Sequence, residues 1–195
     1  MSFSFESKNM KNQGAVLVKN KCKEKVLYAK YSSPIGPINI EMCTNGLHLV
    51  NFDETINNDN FLQKGPSSSV EILEPTSKIT ENNSPVINQF KAWLQNFFYG
   101  FQNDPDVDIC ISVFGTKGSQ TFRQVAWLTL KNEIKFGQTV SYSELAKLCD
   151  KPGANQAMGS AMSNNPICLI VPCHRVIKGK YFLENLCIKV LEHCQ

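Results

Sequence analysis

The sequence predicts an α/β protein in two parts, an N-terminal part with a sheet and a helical C-terminal part, which divide near residue 116. Short runs of strand character, separated by turn residues, occupy the first part. Helical periodicity dominates the second part. Two of its helices are joined by the tight turn "DKPG" at 150–153, which makes a helix-turn-helix candidate, although most such helix pairs only form core.

The N-terminal part, residues 25–116, reads as strands and one helix. The strand runs are "KVLYAKYSS", "GPINIEMC" and "LHLVNF", with "SPIG" and "TNG" between them at hairpin-like spacing. The helix is predicted from apolar residues at helical spacing, namely Val86, Phe90, Trp93, Leu94, Phe97 and Phe98. "ICISVF" is expected to form another strand. Residues 1–24 are expected to be a flexible basic arm, and residues 53–84 a long polar loop.

The C-terminal part, residues 117–195, is predicted to contain three helices. The first begins at a Ser119 cap and ends before Gly137, and the second opens with Ser141 and Glu144 at capping-box spacing. The third, "ANQAMGSAMSNN", has almost no side-chain bulk. A helix this slim either packs closely against another backbone or enters a narrow groove. The segment alone favours close packing.

Composition and charge restrict the class of protein. No stretch approaches the ~18 apolar residues of a membrane span, and the N-terminus has no apolar core of the signal-peptide kind. The eight cysteines are irregularly spaced, so we expect reduced thiols. Residues 117–195 hold ten Lys or Arg against five Asp or Glu, whereas residues 1–116 hold ten against twelve. The basic half fits a polyanion-binding face or an ordinary scatter of surface lysines, and both interpretations stay open.

Cys173 lies between Pro172 and His174, after an apolar run. The thiolate is the nucleophile, and a free thiol with a pKa of about 8.5 is little ionised at neutral pH. His174 could accept its proton only if a turn follows Pro172, because neighbouring side chains in a strand point to opposite faces. A buried structural cysteine is the alternative. Cys168, Cys173 and His174 do not have the usual spacing of zinc ligands.

Taken in order, the motifs resemble the O6-alkylguanine-DNA alkyltransferases, the methylated-DNA–protein-cysteine methyltransferase family. The segments that match its C-terminal domain without a gap are "TFRQVAWLTLKNEIKFGQTVSYSELAKL", "QAMGSAMSNNP" and "LIVPCHRVI", which contains "PCHRV". "SPIGPINIEMCTNGLHLVNF" and "FKAWLQNFFYG" resemble its N-terminal domain. The resemblance implies a small N-terminal α/β domain with an antiparallel sheet. It also implies a C-terminal winged helix-turn-helix domain that carries the active-site cysteine.

The resemblance implies a single-turnover DNA repair enzyme that acts on double-stranded DNA containing O6-alkylguanine. The family rotates the damaged guanine out of the duplex and transfers the alkyl group irreversibly to a cysteine, here Cys173. His174 would act as the base through a water, oriented by a carboxylate for which Glu192 is the candidate. Tyr142 would assist rotation and protonation of the guanine, and Asn165 matches an asparagine before the cysteine loop.

The resemblance also assigns a DNA-binding surface and a base pocket. The slim third helix would enter the minor groove. The DNA-binding residues that it implies are Ser141, Tyr142, Gln156, Ala157, Gly159, Ser160, Arg123 and Arg175. Gln156 stands where the family has an arginine that fills the space left by the flipped base. We therefore expect weaker DNA binding or slower flipping, with the chemistry retained. Met162, Val176 and Tyr181 would line the pocket, and the segment after Val176 lacks the family's Tyr-Ser-Gly-Gly element.

No organic cofactor is implied, and a structural zinc ion is one of two open interpretations of the cysteines in the N-terminal part. Some animal members bind zinc in the N-terminal domain through two cysteines and two histidines. Cys43 and His48 match two of these ligands, and Cys22 is the candidate for a third. Tyr99 occupies the fourth position, so a water or another side chain would complete the site. Alternatively, Cys43 is an ordinary strand cysteine.

Other functions stay open from the sequence. A non-enzymatic sensor of alkylated DNA would share the scaffold, but such relatives lack the acceptor cysteine that Cys173 provides. A divergent paralogue would keep a reactive thiol and lose guanine specificity. A Cys-His hydrolase fits less well, because nothing resembles an oxyanion hole. We expect a monomer with no membrane partner, in the nucleus, with the cytoplasm as the alternative.

Overall fold

The computed structural model describes residues 22–33, 37–52, 71–75, 85–98 and 104–178, with backbone alone at 71–75. Most of the expected basic arm, residues 1–24, lies outside these ranges. No helix within them has both the length and the apolar character needed to cross a membrane.

The N-terminal part contains a four-stranded antiparallel sheet in the order β3-β2-β1-β4. Its strands are β1 (Leu27–Ser32), β2 (Ile38–Cys43), β3 (Gly46–Phe52) and β4 (Glu71–Pro75). The first three confirm the predicted strands. The prediction of a loop throughout residues 53–84 was wrong at β4, which pairs with β1 at the edge of the sheet. A strand can pair at a sheet edge through its backbone N–H and C=O groups without an apolar pattern. The polar composition of residues 53–84 therefore gave no signal of this strand.

Helix α1 (Pro85–Phe98) covers the sheet, as the helical spacing predicted. Its buried face comprises Val86, Ile87, Phe90, Trp93, Leu94 and Phe97. Phe90 meets Tyr31 of β1 edge to face, with ring centroids 6.0 Å apart. Each fully buried side chain of this size contributes on the order of 2 kcal/mol to stability, so the contact anchors the N-terminal core.

The predicted strand at residues 109–114 was wrong. Ile109 forms a single bridge with Leu47 of β3, and the chain then turns into the short helix α2 (Ile111–Phe114). Gly115, at φ 71°, ends this turn in the left-handed conformation that glycine tolerates. A short apolar run does not by itself distinguish a strand from a buried helix.

Three helices form the C-terminal part: α3 (Phe122–Glu133), α4 (Tyr142–Leu148) and α5 (Asn155–Ser163). Thr121 rather than Ser119 caps α3, because the reciprocal bonds of a capping box form with Gln124. The predicted capping box of α4, Ser141 with Glu144, is confirmed. The short strands β5 (Val140–Ser141) and β6 (Val176–Ile177) pair in parallel beside these helices.

Strand β3 links the two parts through its free edge. Leu47 exchanges backbone hydrogen bonds of 2.9 and 3.0 Å with the segment 108–110. Val50 exchanges two bonds of 2.8 Å with the segment 166–168, which leads to Cys173. One strand therefore fixes both the end of the N-terminal part and the start of the cysteine loop.

Candidate active site and DNA-binding surface

Cys173 begins a 3₁₀ helix, Cys173–Arg175, directly after Pro172, so the turn that the sequence required is present. The loop before it is braced by Asn165. The Asn165 Nδ2 group donates to the carbonyl of Val171 at 2.8 Å, and its Oδ1 accepts from the N–H of Ile167 at 3.0 Å. The amide of Cys173 donates to the same Val171 carbonyl at 2.8 Å. Asn165 thereby fixes the backbone that presents the cysteine.

The thiol of Cys173 is partly exposed and easily ionised. A side-chain hydrogen bond with Cys168 lowers the pKa of Cys173 to about 7, against the effect of burial. The side chain of Asn165 and the backbone N–H groups of Cys173 and His174 lower this pKa further. Donors that face a sulfur favour its charged form. The thiol is therefore more readily ionised at neutral pH than that of an ordinary cysteine.

His174 is buried, with 5% of its surface exposed. Burial, and to a lesser degree the charge of Arg175, lowers the pKa of His174 to about 3. The imidazole is therefore neutral at physiological pH and keeps a lone pair that can accept a hydrogen bond, whereas it binds a proton only near pH 3. Glu192, the carboxylate expected to orient it, lies outside the described residues.

Arg175 does not lie at the surface, and its predicted role as a DNA contact was wrong. Its guanidinium is 7% exposed and donates to Asp104 at 3.0 Å and to the carbonyl of Ile134 at 2.8 Å. It also lies 5.6 Å from the ring centroid of Phe136. The Nη1 group is held between these two oxygens, and burial of the side chain leaves little of it available to DNA. Arg175 instead anchors the 3₁₀ helix to the N-terminal part.

Helix α5 presents a face of small side chains to solvent. Asn155, Gln156, Ala157 and Ser160 are exposed, and the opposite face packs inward through Met158, Ala161 and Met162. A side-chain carbon added at Gly159 would meet no atom within 4 Å. Close backbone packing, which the segment alone favoured, is therefore wrong at Gly159. The slim face is open.

The open face of α5 borders a cleft of about 930 Å³ between α4, α5 and β6. Its lining residues are Thr139, Ser141, Tyr142, Ser143, Glu144, Asn155, Gln156, Gly159, Ser163, Ile177 and Lys178. Ser141, Tyr142, Gln156 and Gly159, which the resemblance assigned to DNA binding, thus lie together at this cleft. The sequence reasoning missed Lys178, although the basic run "IKGK" was a signal.

The other predicted residues lie around this cleft. Arg123 reaches the same face from α3 and donates to Ser160 Oγ at 3.3 Å. Met162 and Val176, expected in the base pocket, are buried in the core. Tyr181 lies outside the described ranges, so the part of the pocket that it would form is not seen.

A group of metal-binding side chains lies at the end of the β2–β3 hairpin. The ligand atoms of Cys22, Cys43, His48 and Cys110 all lie within 4.8 Å of one another. Tyr99, which the resemblance put in the fourth position, lies outside the described residues, and Cys110 was missed. The Sγ atoms of Cys22 and Cys110 are 3.8 Å apart. This matches the ~3.8 Å between two thiolates bound tetrahedrally to zinc at ~2.3 Å.

Known proteins resemble both parts of the chain. Residues 26–109 match the family model described as 6-O-methylguanine DNA methyltransferase, ribonuclease-like domain, and residues 121–186 match its DNA binding domain. The methylated-DNA–protein-cysteine methyltransferase of Rattus norvegicus is 35% identical over 83% of this chain and 75% of its own length. The chain belongs to the methylated-DNA–protein-cysteine methyltransferase family. The methylated-DNA–protein-cysteine methyltransferase of Methanosarcina acetivorans is also 35% identical, over 77% of this chain and 82% of its own length.

Solved structures of the same family confirm the fold. The Mycobacterium tuberculosis O6-methylguanine methyltransferase superposes with a TM-score of 0.61 at 27% identity, covering 87% of this chain and 88% of that one. Mycobacterium tuberculosis OGT in complex with DNA gives 0.56 at 29% identity, covering 78% of each chain. The expected methyltransferase architecture, an antiparallel sheet domain followed by a helical DNA-binding domain, is therefore confirmed.

Proposed function

We propose that this methyltransferase repairs alkylated double-stranded DNA by moving the alkyl group from O6 of guanine to Sγ of Cys173. Its family carries out DNA repair by alkyl transfer to a cysteine. The observation that supports Cys173 as the acceptor is its thiol, partly exposed and with a pKa of about 7, in a loop braced by Asn165. The enzyme would act once, because the thioether is not cleaved again.

The transfer is a single displacement at the alkyl carbon. The sulfur lone pair of the Cys173 thiolate forms the new S–C bond as the C–O6 bond breaks. The electron pair of that bond passes to the guanine, which takes up a proton with help from Tyr142. The thiol proton leaves to solvent, because Cys173, with a pKa of about 7, ionises without a strong base. The neutral imidazole of His174 would orient a water that relays this proton and would not keep it. No organic cofactor takes part.

Access to O6 from the minor groove requires the guanine to leave the base stack, because O6 lies on the major-groove edge of the base. The open face of α5 is narrow enough for the minor groove, with Ala157, Gly159 and Ser160 outward. Gln156 would occupy the space of the flipped base. It brings no positive charge, whereas Lys178 and Arg123 border the same face. Their contacts with phosphates should make affinity fall as salt rises.

The experiment mixes the protein with a duplex containing O6-methylguanine, with a duplex containing guanine as control, and weighs the peptide that carries Cys173. We expect one added methyl group on that peptide and restored guanine. Cys173→Ala should bind the duplex and leave the lesion unchanged. Normal transfer by this variant would remove Cys173 from the mechanism.

The same experiment separates the alternatives. A sensor would bind the lesion tightly without methyl transfer. A divergent paralogue would expose a Cys173 that a general thiol reagent labels, with no DNA-dependent transfer. The ionisable thiol favours the enzyme, because a sensor has no use for a nucleophile.

We also propose that the metal cluster binds a structural zinc ion through Cys22, Cys43, His48 and Cys110. Three thiolates and one imidazole form one of the common structural zinc sets. Burial raises the pKa of Cys43 to about 12, so without a cation this thiol stays protonated. Zinc would replace the proton and tie the segment at residue 22 to the β2–β3 hairpin and to the residues before α2.

Three further expectations are part of this proposal. The protein acts in the nucleus, as a monomer, and residues 117–195 form the catalytic unit. The DNA substrate supports action in the nucleus. A transfer reaction that needs a single cysteine supports a monomer. Cell fractionation and the mass in solution test the first two.

A further inference from the structure

The two parts of the chain meet at the guanidinium of Arg175. Arg175 comes two positions after Cys173 and ends the same 3₁₀ helix. Its Nη1 group donates to Asp104 Oδ1 at 3.0 Å and to the carbonyl of Ile134 at 2.8 Å. Asp104 belongs to the N-terminal part, 71 positions earlier in the sequence, whereas Ile134 caps the end of α3 in the C-terminal part. One side chain therefore joins the cysteine turn to both parts.

The turn that carries the cysteine is fixed at its two ends by different contacts. Before Cys173, the side chain of Asn165 donates to the carbonyl of Val171 at 2.8 Å. After it, the backbone N–H of Arg175 donates to the carbonyl of Pro172 at 2.8 Å and closes the turn. The guanidinium of Arg175 then fixes this closed turn against the rest of the protein. Cys173 moves with the turn, because one residue separates it from Arg175.

The burial of Arg175 makes its acidic partner important. The Arg175 side chain is 7% exposed, so water compensates little of its charge. Ile134 supplies a neutral carbonyl, and the Phe136 ring centroid lies 5.6 Å from the guanidinium carbon. Asp104 supplies the negative charge, and its carboxylate is 35% exposed. Loss of one partner would leave the other charge buried without compensation, so the turn should shift until water reaches the guanidinium.

We propose that Asp104 is a positioning residue for alkyl transfer, because its carboxylate holds the Arg175 end of the cysteine turn and keeps Cys173 in place for the incoming guanine. This rests on the proposed function, in which Cys173 accepts the alkyl group. Asp104 forms no bond with that group and acts only through Arg175. An in-line displacement needs the reacting atoms aligned, and a misplacement of ~1 Å can slow a reaction about a hundredfold.

A neighbouring acid provides a matched control. Asp106 lies two positions further along the same segment and is exposed. In the part of the chain that the structure describes, it forms no ion pair or hydrogen bond with Arg175. Neither Asp104 nor Asp106 lines the cleft beside α5. Removal of either carboxylate therefore changes the net charge equally, but only removal of Asp104 should disturb the turn.

The experiment compares full-length wild type, Asp104→Ala, Asp104→Glu and Asp106→Ala. Single-turnover methyl transfer is followed over a range of duplex concentrations, which separates the rate at saturation from the affinity for DNA. Asp104→Ala should transfer about tenfold more slowly at saturation, because the turn is displaced, with affinity unchanged. Asp104→Glu keeps the carboxylate and should recover most of the rate. Asp106→Ala should match wild type.

Hydrogen exchange without DNA measures the turn directly. In Asp104→Ala the amides of residues 173–176 should exchange faster than in wild type, while those of β3 stay protected. Loss of protection in both places would indicate general destabilisation and would contradict a positioning role. Thermal unfolding shows whether each variant is folded. If alanine is not tolerated, Asp104→Asn, which keeps the size and removes the charge, gives the answer.

Three results of the transfer assay would overturn the proposal: a wild-type rate at saturation in Asp104→Ala, equal slowing in Asp106→Ala, or no recovery in Asp104→Glu. The last would indicate packing at this position rather than charge. A wild type that transfers no methyl group would instead refute Cys173 as the acceptor. Hydrogen exchange would still show whether Asp104 holds the turn, so the two failures are distinguishable.

Discussion

Burial keeps His174 neutral in the folded protein, and this makes the free energy of unfolding depend on pH. The unfolded chain binds a proton at this residue below about pH 6.5, whereas the folded chain does so only near pH 3. The folded state therefore binds fewer protons between these values, so stability rises with pH in this window. Above pH 6.5 the free energy of unfolding is not reduced by His174. Below that pH the reduction grows as pH falls towards 3.

We therefore expect acid to unfold the protein partly through this residue. At pH 5.0 the proton taken up by the unfolded His174 lowers the free energy of unfolding by about 2 kcal/mol relative to pH 7.5. Urea unfolding at both pH values measures this loss. Glutamine in the His174→Gln variant cannot bind the proton. The decrease in the free energy of unfolding between pH 7.5 and pH 5.0 should therefore be about 2 kcal/mol smaller in this variant. Equal losses in the two proteins would show that another group is responsible.

At the scale of one element, α5 combines poor helix propensity with an open face. Gly159→Leu should stabilise the fold by roughly 0.5–1 kcal/mol, because glycine is a poor helix former and an added carbon meets no neighbour. The same side chain would obstruct a narrow groove, so DNA affinity should fall about tenfold or more, as a loss of at least ~1.4 kcal/mol. Thermal unfolding and duplex titration measure the two effects.

The control for this prediction is Asn132→Leu. It adds the same side chain to an exposed position of α3 that does not line the cleft. DNA affinity should be unchanged in this variant. If both leucines weaken binding alike, or if Gly159→Leu binds normally, α5 is not the element that enters the groove.

The helices show how much of the fold the sequence could predict. Ser141 with Glu144 is a local signal, and the predicted cap formed as expected. At α3 the expected cap, Ser119, was wrong. Thr121 forms the reciprocal bonds with Gln124, whereas the Ser119 hydroxyl bonds to Thr116. Residues 109–114 form a bridge and a helical turn because Leu47 of β3 pairs with Ile109. A partner this distant in sequence cannot be predicted from a local pattern.

The candidate site was predictable where its residues belong to one segment. Cys173, His174 and Asn165 share a short motif, and the structure holds them in one loop. Arg175 failed as a DNA contact because its partner, Asp104, comes from the other part of the chain. Cys110 was missed for the same reason, since its distance along the sequence from Cys22 matches no ligand spacing.

At the scale of the whole molecule, the zinc proposal predicts a dependence of stability on metal. We expect one zinc ion per chain by elemental analysis, and a lower thermal midpoint after treatment with a strong chelator. Cys110→Ala should lose the metal and melt at the lower temperature with or without chelator. Cys110→His keeps four ligands and should retain zinc.

Cys149→Ala is the matched control, because Cys149 is a buried cysteine outside the cluster. This variant should keep both the metal and the chelator effect. A wild-type protein that contains no zinc after growth in zinc-supplemented medium, and that melts alike with and without chelator, would refute the site.

Strand β3 carries two amides that report on different ends of the molecule. The N–H of Leu47 bonds to Asp108, beside the metal cluster, and the N–H of Val50 bonds to Pro166, at the start of the cysteine loop. The two lie about 10 Å apart on one strand. Hydrogen exchange at these neighbouring positions therefore records separately whether each end is docked. A spent molecule whose loop has loosened would lose protection at Val50 while Leu47 stays protected.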